Sequence, residues 1–136
     1  MPNNNNTILV STLDMDRISA LMDKLPKLSK ELERLEDELD RATVLPPEEM
    51  PADVVTMNST VTFKFHGSND IMQKTLVYPH DVKSNDDISI FAPVGSALLG
   101  LAKGQSLTWP MPNGAERTIE IVDIIEQPER NGEYNR

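Results

Sequence analysis

Apolar side chains recur at helical spacing from Ser11 to Ala42 and alternate with polar ones from Thr60 onward, so the chain switches secondary-structure period before its midpoint. Ile18, Leu21, Met22 and Leu25 share one helical face, and Ser11 stands three residues before Asp14 in a capping-box-like start. Pro26 interrupts the pattern. Leu28, Leu32, Leu35, Leu39 and Ala42 then follow in alternating steps of four and three, the a/d seam of a coiled coil, with Glu33, Arg34, Asp37 and Arg41 among the charges on the outer face. Two amphipathic helices joined at Lys24, Leu25, Pro26 and Lys27 predict a short antiparallel helical hairpin over 11–45. The Asn-rich residues 1–10 read as a flexible leader whose end, Thr7 to Val10, joins a sheet edge.

Pro46, Pro47 and Pro51 stop the second helix, because proline clashes with a continuing helix and biases the preceding residue towards extended backbone. Residues 46–53 are therefore a stiff connector and the expected domain boundary. Beyond it Val61, Phe63 and Phe65 alternate with Thr60, Thr62 and Lys64, a turn is expected over His66–Asp70, and Ile71–Tyr78 resumes as the paired strand. A third strand is expected over Ile88–Phe91 and a short helix over Pro93–Leu101. A last hairpin, Ser106–Trp109 with Arg117–Ile125, turns around Pro112, Asn113 and Gly114. Pro93 has its φ preset for a first helical turn and lacks only a proton that would be unpaired there; Gly100 and Gly104 suit the turns that end the helix. The fold class that results is α+β: the hairpin, then an antiparallel sheet domain over 54–127 with one short helix, then a flexible tail over 128–136.

Charge narrows the partners. The net charge is -9, with 22 acidic against 13 basic residues, and the helical residues 1–60 carry 12 of the acids against 6 bases. Phosphate affinity needs clustered Lys and Arg, so direct specific nucleic-acid binding is not expected, and a basic protein surface is the better partner. No apolar run approaches the roughly 18 residues of a membrane span, and the N-terminus lacks the pattern of a signal peptide, which predicts a cytoplasmic protein without membrane association. With no cysteine there is no thiolate site or disulfide. His66 and His80 lie near Asp70 and Asp81 but without metal-ligand spacing, and no nucleophile elbow, P-loop or dinucleotide fingerprint occurs. No catalytic residue, metal or cofactor is expected; Trp109 reads as a core or rim aromatic, and a hairpin that fills its own seam reads as a monomer.

The order strand, Ala92-Pro93, Ala97-Leu98, Gly100, Gly104, strand, Pro112-Asn113-Gly114 and final strand resembles the C-terminal domain of the bacterial Gre transcript-cleavage factors. EEMPADVVTMNSTV at 48–61, TLVYP at 75–79, APVGSALLGL at 92–101 and LDRA at 39–42 extend the resemblance to a Gre-related branch over most of the chain. That resemblance implies an FKBP-like sheet domain that binds RNA polymerase core near its secondary channel, the globular domain at the rim and the hairpin pointing inwards. The partner-binding residues it implies are Phe91, Ala92, Pro93, Val94 and Gly95. Ala92 stands where the Gre pattern has a serine, and losing that hydroxyl cap costs about 1 kcal/mol and leaves the helix amides more available. Gre factors carry acidic residues at the tip of a long coiled coil. Here Lys24, Leu25, Pro26 and Lys27 offer no carboxylate, and helices of about 12 to 15 residues reach only about 20 Å. A polymerase-binding regulator without cleavage activity, competing with Gre factors, is the expected function. An FKBP-type peptidyl-prolyl isomerase is the alternative, set against only six aromatic residues in the chain.

Overall fold

The computed structural model describes residues 8–27, 30–110 and 115–127. Three residues, Leu9–Ser11, form strand β1 and run directly into helix α1, Thr12–Asp23. The expected cap is present: the Ser11 hydroxyl accepts the Asp14 amide at 3.0 Å, which satisfies one of the donors a helix start leaves over. Helix α2 spans Lys30–Arg41 and ends one residue before Ala42, the last position of the apolar pattern. There the Ala42 amide closes onto the Leu39 carbonyl, and the β-branched Thr43 and Val44 begin strand β2, Thr43–Leu45, parallel to β1. The 11–45 hairpin is thus corrected to two helices bracketed by a small parallel ribbon. Of the residues assigned to the leader, Leu9 and Val10 pair in a sheet as expected, and the flexible reading is corrected from Ile8 onward, where Ile8 and Val10 are buried. Residues 1–7, Leu28, the Pro112–Gly114 turn and the 128–136 tail lie outside the described residues.

A single turn of 3₁₀ helix, Pro47–Glu49, occupies the proline connector. The main sheet follows: β3 (Thr60–Phe65), β4 (Ile71–Val77), β5 (Asp87–Ser89), β6 (Ser106–Pro110) and β7 (Glu116–Glu126), in the spatial order β5-β4-β3-β7-β6. The hairpins β3–β4 and β6–β7 are antiparallel, as their alternation and turns predict. β5 is not: it lies parallel to β4, with Thr75, Leu76 and Val77 opposite Asp87, Ile88 and Ser89. The all-antiparallel sheet is corrected accordingly. The reason lies in the connection, where a 3₁₀ turn at Pro79–Asp81 carries the chain across instead of folding it straight back. β7, with 11 residues, pairs with both β3 and β6 and ties the sheet together.

Helix α3, Pro93–Leu98, is the short element foreseen between strands. It is followed by Gly100 at φ +84, where an added Cβ would lie 2.5 Å from Ile8 Cβ, so the backbone of this turn and the N-terminal segment need glycine to meet. Val55 and the exit of α3 exchange backbone hydrogen bonds, Val55 N–H to Leu101 O at 2.9 Å and Gly100 N–H to Val55 O at 3.0 Å.

One hydrophobic core runs through all of this. Ile18 and Met22 of α1 and Leu32, Leu35 and Leu39 of α2 belong to the same buried cluster as Phe63, Leu76, Leu98, Trp109 and Ile121. α2 packs on α3, and α1 packs on β1 and β2. The stripe read as a coiled-coil seam is therefore buried in the core of the sheet domain. Arg34 of α2 reinforces this by placing its guanidinium 5.5 Å from the centre of the Trp109 ring, a cation–π contact.

Candidate functional site

The partner-binding residues expected from sequence cluster where β5 turns into α3. Ser89 organises the turn: its hydroxyl accepts the Phe91 amide at 3.0 Å and its carbonyl accepts the Ala92 amide at 3.0 Å. Ala92 is the N-cap, extended at φ -73 and ψ 150, and no side chain caps the helix. Ser96 closes the turn from the other side, its hydroxyl donating to the Ile90 carbonyl at 2.7 Å and its amide to the Ala92 carbonyl at 2.8 Å. Phe91, Ala92 and Val94 are half-buried. Gly95 is buried and has a different part: a Cβ there would lie 1.9 Å from the Ser89 carbonyl oxygen, so glycine lets α3 sit against β5. The β5–α3 turn thus presents a half-buried rim of Phe91, Ala92 and Val94, held by the contacts of Ser89, Gly95 and Ser96.

The hairpin tip is fixed as well. Lys24 ends α1 with its amide bonded to the carbonyls of Leu21 and Met22, and the Leu25 amide bonds to the Met22 carbonyl. Leu25 packs against the core, while Lys24, Pro26 and Lys27 are exposed. Asp23, at the last position of α1, is the nearest described carboxylate. Each helix has 12 residues, which at a rise of about 1.5 Å per residue gives about 18 Å.

A further cluster escapes pattern reading. Asp14 is only 3% exposed, and its Oδ2 accepts the Met57 amide at 3.0 Å while its Oδ1 accepts the Tyr78 hydroxyl at 3.4 Å. Burial first, and the neighbouring Asp14 charge second, push the Tyr78 phenol well above its ordinary pKa. A polar residue on the otherwise apolar Ile18–Met22 face is the one signal in the sequence that could have revealed this junction. The histidines fall elsewhere: His66 Nε2 lies 3.4 Å from a Glu120 oxygen and His80 Nε2 lies 3.6 Å from an Asp81 oxygen. Among the described residues no three His, Asp or Glu side chains converge as metal ligands would.

Comparison with known proteins matches both halves of this architecture. Residues 50–126 match the family described as transcription elongation factor GreA/GreB, C-terminal, and residues 6–45 match the family described as Rnk N-terminus. The chain is 42% identical over 134 residues to the regulator of nucleoside diphosphate kinase of Escherichia coli strain K12, covering 94% of this chain and 96% of that protein. It is 34% identical over 86 residues to the transcription elongation factor GreA of Chlorobaculum parvum, covering 62% of this chain and 54% of that protein. Among solved structures, the prokaryotic transcription elongation factor GreA/GreB from Nitrosomonas europaea superposes with a TM-score of 0.73 at 46% identity, covering 90% of this chain and all of that one.

Proposed function

Because the chain belongs to the Gre-related family that includes the regulator of nucleoside diphosphate kinase, we propose that it is a non-enzymatic transcription regulator that binds RNA polymerase core near the secondary channel. In this reading the Phe91–Ala92–Val94 rim docks at the channel mouth. The α3 start favours such a role: its N-cap has no side-chain hydrogen bond, and the positive end of a helix suits a partner carboxylate or carbonyl.

The observation that carries the proposal is the tip. Transcript cleavage by a metal held at a hairpin tip needs placed carboxylates on a long arm. This tip presents Lys24 and Lys27, has Leu25 tied into the core, and stands on helices of 12 residues. The protein then occupies the channel mouth and competes with Gre factors without stimulating cleavage, acting as a cytoplasmic monomer. The isomerase alternative is weakened by the burial of Phe63 and Trp109, at 1% and 0% exposure, since neither ring can line an open peptide pocket.

The test is a pair of assays on the full chain. Core polymerase should be retained by the immobilised protein and lost with Pro93→Glu, whose circular-dichroism melt stays near that of the parent. Backtracked complexes should show no added transcript cleavage. Stimulated cleavage, or retention that survives Pro93→Glu, contradicts the proposal.

A further inference from the structure

Away from the α3 rim, a cleft of about 360 Å³ opens between α1 and the turn that follows β4. That size falls within the roughly 300–1,000 Å³ of small-molecule sites. Its floor is apolar: Ala20 and Leu21 from α1 face the ring of Tyr78. Arg17 lines the cleft together with Tyr78, whose hydroxyl donates to Asp14. Tyr78 is only 5% exposed, so its ring forms a fixed wall of the cleft. A guanidinium carries five N–H donors in a planar fork, so it can take two oxygens of a carboxylate or phosphate at once.

The remaining wall is built to hold its shape. Asn58 stands at φ 67, the single described non-glycine residue in left-handed backbone, and its amide donates to the Leu76 carbonyl. Asparagine is among the few non-glycine residues that take this backbone readily, so it suits the turn that bounds the cleft. His80 lies parallel to the Tyr78 ring, with 6.2 Å between ring centres, and Asp81 at the rim is turned towards His80. The charged and titratable groups around the cleft are therefore Arg17 and His80, with Asp81 directed at His80 and Asp14 at Met57 and Tyr78.

We propose that this cleft binds a small amphipathic oxyanion, its apolar ring or short chain lying on Leu21, Ala20 and Tyr78 and its carboxylate or phosphate taken by the Arg17 fork. A polyanion is not the fit, because the lining supplies one guanidinium beside apolar surface, which matches one anionic head. Since one wall is α1 and the other the sheet domain, such a ligand bridges the two and fixes their relative position.

The experiment is a titration of the isotope-labelled full chain, followed by amide chemical shifts, with phenylacetate, phenyl phosphate and the neutral control benzyl alcohol. Both anions should give saturable shifts at Arg17, Leu21, Asn58 and His80, and benzyl alcohol should bind at least about tenfold more weakly, the worth of one charge-assisted contact. Whichever anion binds tighter identifies the preferred head group. Arg17→Ala should lose about that tenfold for the anions and leave benzyl alcohol unchanged. Ala20→Trp, at an exposed position, should fill the cleft and remove the shifts while keeping Arg17, so it decides the matter even where Arg17→Ala fails to fold. Absence of saturable shifts with both anions, equal binding of benzyl alcohol, or anion binding undiminished in Ala20→Trp overturns the proposal.

Discussion

Asp14 reaches across 43 positions of sequence to accept the backbone amide of Met57 at 3.0 Å, and this buried contact pins the first helix to the sheet domain. The same carboxylate accepts the Tyr78 hydroxyl, so one side chain near the start of α1 meets two separate segments of the domain. The helical region is therefore an integral layer of the protein.

Asp14→Ala should lower stability by about 2 kcal/mol, because it leaves a buried amide and a buried hydroxyl without that acceptor. Urea unfolding followed by circular dichroism measures it. A change below about 0.5 kcal/mol, the range of ordinary surface substitutions, would mean that the contact does not hold the helix.

Tyr78 supplies a pH dependence. Its folded pKa is raised above the ordinary 10.0, so the unfolded chain gives up this proton first. The associated stability is complete below pH 10 and is lost progressively as pH rises further. Tyr78→Phe cannot titrate, so the gap in melting temperature between it and the parent should shrink or reverse between pH 8 and about pH 11. A gap that stays constant would contradict the assignment.

Gly95→Ala should be severely destabilising, by about 3 kcal/mol or more, since its methyl group would meet the Ser89 carbonyl carbon and oxygen, which are backbone atoms and cannot swing away. Val94→Ala, one residue earlier and half-buried, should cost no more than about 1 kcal/mol. Thermal melts of the two variants separate the residue that builds the rim from one that presents it.

Leu35→Ala tests where α2 belongs. Leu35 is fully buried in the common core, so its truncation should cost about 2 to 5 kcal/mol and lower the midpoint of the whole chain. Trp109, the only tryptophan and 0% exposed, should report the same midpoint by fluorescence. A separate early transition of helicity, with Trp109 still shielded, would indicate an independent coiled coil instead.

Local pattern carried much of this fold. Ser11 and Asp14 marked the start of α1, the Thr60–Phe65 alternation marked β3, and Pro93 marked α3, because each rests on contacts within a few residues. What pattern missed depends on distant partners. The leucines of α2 announce an apolar stripe but not what covers it, and the same spacing serves a coiled coil or a sheet-domain core. The direction of β5 is set by the Pro79–Asp81 crossover, and the burial of Ile8 by the close approach of Gly100. The start of α3 was readable from Ala92-Pro93, whereas the Arg17 and Tyr78 cleft was not, since its two walls come from segments about 60 residues apart.

The central claim is that this protein holds the polymerase channel mouth through its sheet domain and does no chemistry there. Its most direct test is co-purification with RNA polymerase core in the presence of increasing Gre factor. Mutual displacement, with Val94→Glu failing to compete, is the predicted result. Simultaneous binding of both proteins to one polymerase, or no binding of this one, would contradict it.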